Sequence, residues 1–221
     1  MKRLIIVVEG ESEERFVHRV LHPYLCDRGI YNEVQCFKIK HSHGGFTKYQ
    51  HLCNDILKVL HEPDVIVSMM VDFYRLPTDF PGFDQLQKDV PHSEQVEWLE
   101  NSMKADVNKR LQRPCNSFIP YIQLHEFETL VFAAKNGIET LFEQSEIKYA
   151  HLEATLNAFP NPEAIDNAPA TAPSVRLKEI IPGYNKVVHG INIIDAAGMD
   201  ELLNKCPHFR AWIERIVSAL T

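Results

Sequence analysis

The first half of the chain alternates short apolar runs with segments whose apolar residues recur at helical spacing. The apolar runs predict strands at residues 3–8, 33–39, 64–72 and 117–124. The periodic segments predict helices at residues 12–27, 47–61, 92–113 and from 126 onward. The run at 64–72 is almost wholly apolar, as expected for the centre of a parallel sheet covered on both faces. The alternation predicts an α/β fold, a doubly wound and mostly parallel sheet flanked by helices.

The pattern changes at about residue 137 to short helices joined by Pro-rich loops, of which residues 160–173 are the clearest. The chain then ends in an amphipathic helix that carries Phe209 and Trp212. We therefore expect an α/β core over residues 1–136 and a helical C-terminal region over residues 137–221, packed on that core.

Composition narrows the class of protein. The chain is 45% hydrophobic and 24% charged, as in ordinary globular proteins, and no stretch approaches the roughly 20 apolar residues of a membrane span. The apolar run at the N-terminus is short and lacks a small-residue cleavage site, which favours a strand over a signal peptide. Five scattered cysteines without a C-x-x-C motif predict reduced thiols and a cytoplasmic location, with no disulfide framework.

Acidic residues follow the predicted strands. Glu9 ends the first strand and Asp72 ends the third, while His125, Glu126 and Glu128 come directly after the fourth. Open parallel sheets bind ligands outside the carboxyl ends of their strands, so we expect these side chains to share one edge. Clustered carboxylates repel each other unless a cation lies between them. Mg²⁺ and Mn²⁺ prefer such oxygen ligands, and the pattern predicts a site for one of them.

Not every acidic residue near the N-terminus needs a functional site to explain it. Glu11, Glu13 and Glu14 fall in the first turn of a predicted helix, where the helix dipole favours negative charge. Glu9 differs, because it sits at the strand end itself, before a glycine that permits a tight turn. Asp72 ends a buried central strand, where a carboxylate is costly without a partner.

Basic residues are few, since the net charge is −7. This net charge excludes a broadly basic protein that coats DNA. It does not exclude an enzyme that acts on nucleic acid, because divalent metals can supply positive charge at the reacting centre. Lys48 follows the second strand at the expected site edge, and a C-terminal cluster contains Ser174, Arg176, Lys178, Lys186 and His189. Lys48, Arg176 and Lys186 are the candidate contacts for a substrate phosphate.

The segment HSHGGFTKY (41–49) contains Gly44 and Gly45, which would allow close backbone approach to a ligand. A zinc site at His41 and His43 is the alternative there. It lacks a third ligand at suitable spacing.

Two of these features resemble a known arrangement. A Glu closes strand one in the pattern VEG-x-[ST]-E-E-x-F, and an Asp closes strand three. This pair of acids resembles the arrangement in the Toprim domains of topoisomerases, primases and overcoming-lysogenization-defect nucleases. Throughout its length the chain more closely resembles the DUF4276 family of Toprim-like proteins. The matching segments are VEGESEERFV, GGFTKY, VDFYRLPTDFPG, PYIQLHEFETLVFA, PSVRLKEIIPGYNKVVHG and CPHFRAW.

This resemblance implies a Toprim-like fold with a two-acid Mg²⁺ or Mn²⁺ site at Glu9 and Asp72. Some relatives are effectors of two-gene anti-phage systems, in which an ABC-type ATPase holds the Toprim-like subunit until infection. The freed subunit then cuts RNA, including tRNA. The present chain has no ATPase motif, so such an ATPase would be a separately encoded protein. RNA, this ATPase and a second copy of the chain as a homodimer are the candidate partners, and no membrane partner is expected.

The chain departs from the Toprim pattern at two places. Toprim domains usually carry D-x-D after strand three, whereas this chain has Asp72-Phe73-Tyr74. Asp79, Glu126 and Glu128 are the alternatives for the second acid. Val175 stands where a lysine is expected, which weakens the assignment of a phosphate contact at Ser174 and Arg176.

The sequence therefore favours a metal-dependent phosphodiesterase, a nuclease acting on RNA. Glu9 would act as general base or metal ligand and Asp72 as principal ligand, with Glu126 or Glu128 completing the set. The main alternative is a catalytically inactive binding or regulatory subunit of an ATPase-containing complex, which the missing D-x-D favours. A phosphatase acting on a small substrate is a third hypothesis. A topoisomerase is disfavoured, because the chain is too short for strand-passage domains.

Overall fold

A computed structural model describes residues 2–40, 46–87, 89–165, 168 and 170–221 of the 221-residue chain. The segment that holds His41, His43, Gly44 and Gly45 lies outside the described residues.

The described strands form one parallel sheet, which confirms the predicted fold class. They are β1 (Arg3–Val8), β2 (Val34–Lys38), β3 (Val65–Asp72), β4 (Phe118–Ile119) and β5 (Ile122–Gln123). The order is β2-β1-β3-β4, and β5 continues beside β3 beyond β4. Every pairing is parallel, with Val8 opposite Lys38 and Met70, and Asp72 opposite Gln123.

Helices connect the strands and make up the C-terminal region. In the described part of the chain they are α1 (Glu11–Phe16), α2 (His22–Asp27), α3 (Tyr49–Leu60), α4 (His92–Leu111), α5 (Glu128–Ala133), α6 (Lys135–Leu141), α7 (Tyr149–Ala158), α8 (Pro173–Ile180), α9 (Ile191–Ala197), α10 (Met199–Lys205) and α11 (Pro207–Leu220). A π-helical stretch, Val17–Leu21, joins α1 to α2, so the predicted helix at 12–27 is continuous but not purely α-helical.

The sheet is buried on both faces. Leu4, Ile6 and Val8 of β1 point into one hydrophobic cluster, together with residues of α1, α5 and α9 to α11. Ile5 and Val7 point into the other cluster, against α3 and α4. Alternate side chains of a strand face opposite sides, so the continuous apolar run in β1 is what a doubly covered sheet requires.

The fourth predicted strand, 117–124, is split. Pro120 lies between β4 and β5, and neither of these strands exceeds two residues. Proline has no N–H group to donate to a sheet ladder, which accounts for the interruption.

The C-terminal helix packs directly on the sheet. Trp212 of α11 is fully buried, and its Nε1 donates a hydrogen bond to Ser68 Oγ of β3 at 2.8 Å. One hydrophobic cluster thus contains residues of the sheet and of the C-terminal helices. Within the described residues, no helix has both the length and the apolar character needed to cross a membrane.

Candidate active site in a carboxylate cleft

The end of β1 places the first carboxylates. The backbone N–H of Glu9 donates to the Met70 carbonyl at 3.2 Å, so Glu9 is still held beside β3. Gly10 follows in an extended conformation and begins α1. A Cβ atom at Gly10 would lie 3.0 Å from Glu13 Oε2, closer than a side chain there normally comes. Glycine therefore lets the buried Glu13 carboxylate fold back toward Glu9.

The ends of β3 and β5 add the second group. Asp72 is the last residue of β3, and its N–H lies 3.4 Å from Glu9 Oε2. Because β5 pairs with β3 at Asp72, the segment after β5 emerges at the same edge. That segment carries Glu126 and Glu128. Three elements far apart in sequence thus bring their acids together, as the strand-end argument predicts.

Lys186 supplies a positive charge inside this group of acids. Its Nζ lies 2.9 Å from Glu13 Oε1, 3.6 Å from Asp72 Oδ2 and 3.8 Å from Glu128 Oε2. The residue begins a π-helical stretch, Lys186–Gly190, which Asn185 caps by accepting a hydrogen bond from the Val188 N–H. One ammonium group therefore faces carboxylates from three separate elements.

Burial shifts the titration of these groups. It raises the pKa of Glu9, and the charge of Glu13 raises it further. It also raises the pKa of Asp72 well above its usual range, although Lys186 acts in the opposite direction. Burial would lower the pKa of Lys186, but the charges of Asp72, Glu13 and Glu128 outweigh it and raise that pKa strongly. Lys186 is therefore a permanent cation at neutral pH.

The carboxylates line a cleft of about 400 Å³. Basic and polar groups share its walls with the acids: Tyr74, Arg75, Ser174, Lys178, Tyr184, Asn185 and Lys186. We call this space the carboxylate cleft. Glu126 contributes in two ways, because it lines the cleft and its Oε2 accepts a hydrogen bond from the Ser174 N–H at 2.9 Å, at the start of α8. A carboxylate is favoured at that end of a helix.

Other predicted site residues lie elsewhere. Asp79 accepts a hydrogen bond from the Tyr49 N–H at 3.0 Å, at the start of α3. Lys48 is exposed just before α3 and does not line the cleft. Arg176 points back along its own segment, where its Nε donates to the Thr171 carbonyl at 2.7 Å. His125 lines a different cavity.

Some residues in or beside the carboxylate cleft are not indicated by the sequence pattern. The helix dipole accounts for an acid at Glu13, yet α1 begins two residues after Glu9 and its third residue, Glu13, is buried beside the cleft and pairs with Lys186. No sequence pattern indicates Arg75 or Tyr184 as a cleft residue. The position of each depends on the path of a loop, which the pattern does not determine. Lys178 belongs to the C-terminal cation cluster that the sequence indicates, and it lies on the same helix face as Ser174, four residues after it.

The residues of the carboxylate cleft suit the ligand preferences of a divalent cation. Among the described atoms, Asp72 Oδ1 is buried and has no hydrogen-bond partner, and the Glu9 carboxylate accepts a hydrogen bond from the backbone N–H of the same Asp72. No group of three or more His, Cys, Asp and Glu side chains in the described ranges has the arrangement of a metal site. Mg²⁺ commonly takes only one or two carboxylates and completes its shell with waters and substrate phosphates. Glu9 and Asp72 would hold it in that way.

Sequence comparison places the chain in a family. Residues 8–217 match the family described as a domain of unknown function, DUF4276. The chain belongs to the DUF4276 family. The match includes every residue of the carboxylate cleft and confirms the resemblance seen in the sequence. A comparison with curated proteins finds no match.

Solved structures give distant similarities to this DUF4276 protein. The C-terminal region of the OLD protein from Xanthomonas campestris pv. campestris is 13% identical, with a TM-score of 0.42 over 99% of this chain and 94% of that one. The C-terminal region of the OLD protein from Burkholderia pseudomallei is 16% identical, with a TM-score of 0.42 over all of both chains. The chemistry of the cleft in the DUF4276 protein thus rests on its own residues.

Proposed function

We propose that this protein is a divalent-metal-dependent phosphodiesterase, a Toprim-like nuclease that cleaves RNA in the carboxylate cleft. The observation that carries the proposal is the meeting of Glu9 and Asp72 at adjacent strand ends, with the buried Asp72 Oδ1 unpartnered among the described atoms. A buried carboxylate oxygen without a partner is costly, and a cation would remove that cost.

The residues of the cleft divide into two groups by charge. Glu9 and Asp72 would hold Mg²⁺ or Mn²⁺, and such an ion supplies polarisation of a phosphoryl oxygen and a lower pKa for an attacking water. Lys186 holds Asp72 and Glu128 in place through its ion pairs. Arg75 and Lys178 line the same cleft and would bind the phosphates on either side of the cleaved bond.

The family resemblance supports the biological setting that we propose. RNA, including tRNA, is the proposed substrate, and anti-phage defence in the cytoplasm is the proposed role. A separately encoded ABC-type ATPase would hold the protein inactive, and a homodimer is the proposed assembly.

A second candidate function is a binding or regulatory subunit without catalysis. Lys186 favours it, because a lysine among the acids can neutralise them without any metal. The missing second acid of D-x-D favours it as well.

The first experiment is a cleavage assay. Purified protein is incubated with total tRNA, single-stranded RNA and duplex DNA, in Mg²⁺ or Mn²⁺ and in EDTA. We expect metal-dependent cleavage of RNA that is lost in Glu9→Gln and in Asp72→Asn. Glu11→Gln is the matched control, because Glu11 is an exposed acid of the same segment that pairs with Arg15.

The outcomes separate the candidates. Equal cleavage by wild type, Glu9→Gln and Asp72→Asn would indicate a contaminant and overturn the site. No cleavage by the purified wild-type protein, together with a biological effect that survives both substitutions, would establish the binding subunit instead.

A further inference from the structure

A second cavity of about 530 Å³ lies on the other side of the segment that follows β5. Three imidazole rings contribute to its wall, those of His92, His125 and His208. Leu124, Pro91 and Pro207 add apolar surface. We call it the histidine cavity. It is large enough for a ligand, since binding pockets commonly measure about 300–1,000 Å³.

The rings of this cavity are fixed by their neighbours. The centroids of His92 and His125 are 5.0 Å apart at an interplanar angle of 75°, and Phe73 lies 5.6 Å from His92. His208 stacks on the buried Tyr121 ring at 5.2 Å. A row of rings thus runs from Phe73, next to Asp72, into the cavity.

Hydrogen bonds hold the wall in place. His125 Nε2 lies 3.0 Å from the Glu163 carbonyl oxygen, and His208 Nε2 lies 3.1 Å from Glu100 Oε1. The Glu163 carboxylate accepts hydrogen bonds from the backbone N–H groups of His208 and Phe209, each at 2.9 Å. The cavity is therefore largely pre-formed, as ligand sites usually are.

His125 has an unusual backbone. Its φ angle is +64°, in the left-handed region that non-glycine residues rarely occupy. The Tyr74 N–H donates to the His125 carbonyl at 3.0 Å and so holds this conformation. Strained residues of this kind cluster at functional sites. At this turn the chain passes from His125, a buried part of the wall of the histidine cavity, to Glu126, which lines the carboxylate cleft.

The two cavities therefore adjoin. The Cα atoms of His125 and Glu126 are about 3.8 Å apart, as in any trans peptide. Phe73 and Tyr74, directly after β3, show the same alternation, because Phe73 packs on His92 while Tyr74 lines the carboxylate cleft. Residues 73–74 and 125–126 thus form the boundary between the carboxylate cleft and the histidine cavity.

We propose that the histidine cavity binds a nucleobase of the strand whose phosphodiester lies in the carboxylate cleft. Planar rings and aliphatic walls suit a base, which binds by stacking and by edge contacts. A phosphate is disfavoured, since the described residues that line the cavity include no lysine or arginine. Ser93 and Asn161 bring hydrogen-bonding side chains for the base edge. The position beside the cleaved bond rests on the proposed function, while the base-binding chemistry does not.

The test measures binding without catalysis. Adenosine 5′-monophosphate is titrated into the full-length protein in EDTA, with the imidazole C–H resonances of the histidines recorded by NMR. Ribose 5-phosphate is the matched ligand that lacks a base. We expect the nucleotide, and not the sugar phosphate, to shift the resonances of His92, His125 and His208. The substitution His92→Ala should weaken nucleotide binding about tenfold, as loss of a stacked ring does. His125 is only 1% exposed, so His125→Asn should weaken binding through the loss of its contact with the His92 ring.

His61→Ala is the control for loss of an exposed histidine outside the cavity. Asn replaces His125 because asparagine tolerates a positive φ, and circular dichroism checks that both cavity variants fold. If the nucleotide shifts none of the three cavity histidines, or if ribose 5-phosphate shifts them equally, the inference is wrong even where RNA cleavage is intact. Nucleotide binding in the cavity without RNA cleavage would uphold the base site and overturn the nuclease.

Discussion

The ammonium group of Lys186 lies 3.6 Å from the carboxylate of Asp72 and joins the C-terminal region to the end of the central strand β3. The same group reaches Glu13 at 2.9 Å. Glu13 and Asp72 are themselves close enough to raise the pKa of Asp72. The acids are thus tolerated at the sheet edge because a cation from a distant segment faces them.

Replacing this cation should destabilise the protein. We expect Lys186→Met to lower the free energy of unfolding by about 2 kcal/mol, less than the roughly 3–5 kcal/mol for a fully buried pair, because Lys186 is 31% exposed. Urea unfolding at pH 7 measures the loss. The loss should shrink at acidic pH, since protonation of the carboxylates removes their mutual repulsion.

Lys178→Met is the matched control, because Lys178 is an exposed lysine that lines the same cleft. We expect it to change stability by less than about 0.5 kcal/mol, as surface substitutions do. Equal losses in Lys178→Met and Lys186→Met would contradict the specific role of the ion pairs.

The topology of the sheet explains which parts of the site the sequence predicts. The prediction that Glu9 and Asp72 share one edge is confirmed, because the adjacent parallel strands β1 and β3 end at the same edge of the sheet. Lys186, predicted as a phosphate contact, lines the cleft, and its ion pairs with Asp72, Glu13 and Glu128 are what the sequence does not indicate. Its contacts depend on the path of the C-terminal loops, which hydrophobic periodicity does not determine.

Local hydrogen bonding explains other differences. Asp79 carries the charge expected of a site residue, but it lies at the start of α3 and binds a backbone N–H there. The direction of His125 depends on its positive φ, which no residue pattern indicates. The fold itself was more predictable, because the buried strands β1 and β3 have continuous apolar sequences.

His208 predicts a pH dependence of stability. Burial would lower the pKa of its imidazole, but the hydrogen bond to Glu100 and the charges of Glu100 and Glu163 outweigh it, and the pKa lies above its usual 6.5. A raised pKa stabilises the folded state below the unfolded pKa, and this contribution is lost as pH rises through the folded pKa. We expect the free energy of unfolding to fall above pH 6.5 in wild type, and to fall less steeply in His208→Gln.

Chemical denaturation from pH 5.5 to about pH 9 would measure both slopes. His61→Gln, an exposed histidine at the end of α3, should keep the wild-type slope. A His208→Gln protein with the slope of wild type would show that His208 does not titrate in this way.

The hydrogen bond between Trp212 and Ser68 should stabilise the docking of α11 on the sheet. Both residues are fully buried, and Ser68 Oγ also donates to the Ile119 carbonyl at 2.7 Å. Ser68→Ala leaves the Trp212 N–H buried without its acceptor, at an expected cost of about 1–3 kcal/mol. Thermal and urea unfolding measure the loss. Ser218→Ala, on the exposed face of α11, is the control, and an equally small effect of both substitutions would contradict the prediction.

Substitutions of Arg75 and Lys48 test where the phosphates of a bound RNA lie. Arg75 lines the carboxylate cleft, and Lys48, which the sequence suggested, lies outside it. If RNA lies in the cleft, Arg75→Gln should weaken its binding and reduce the salt dependence, the slope of log K against log salt, by about 0.7 for one lost contact to a single strand. Fluorescence anisotropy with labelled single-stranded RNA in EDTA, at several salt concentrations, measures this slope. Lys48→Gln should keep the wild-type slope; a reduced slope in Lys48→Gln and an unchanged one in Arg75→Gln would place the RNA along α3 instead of in the cleft.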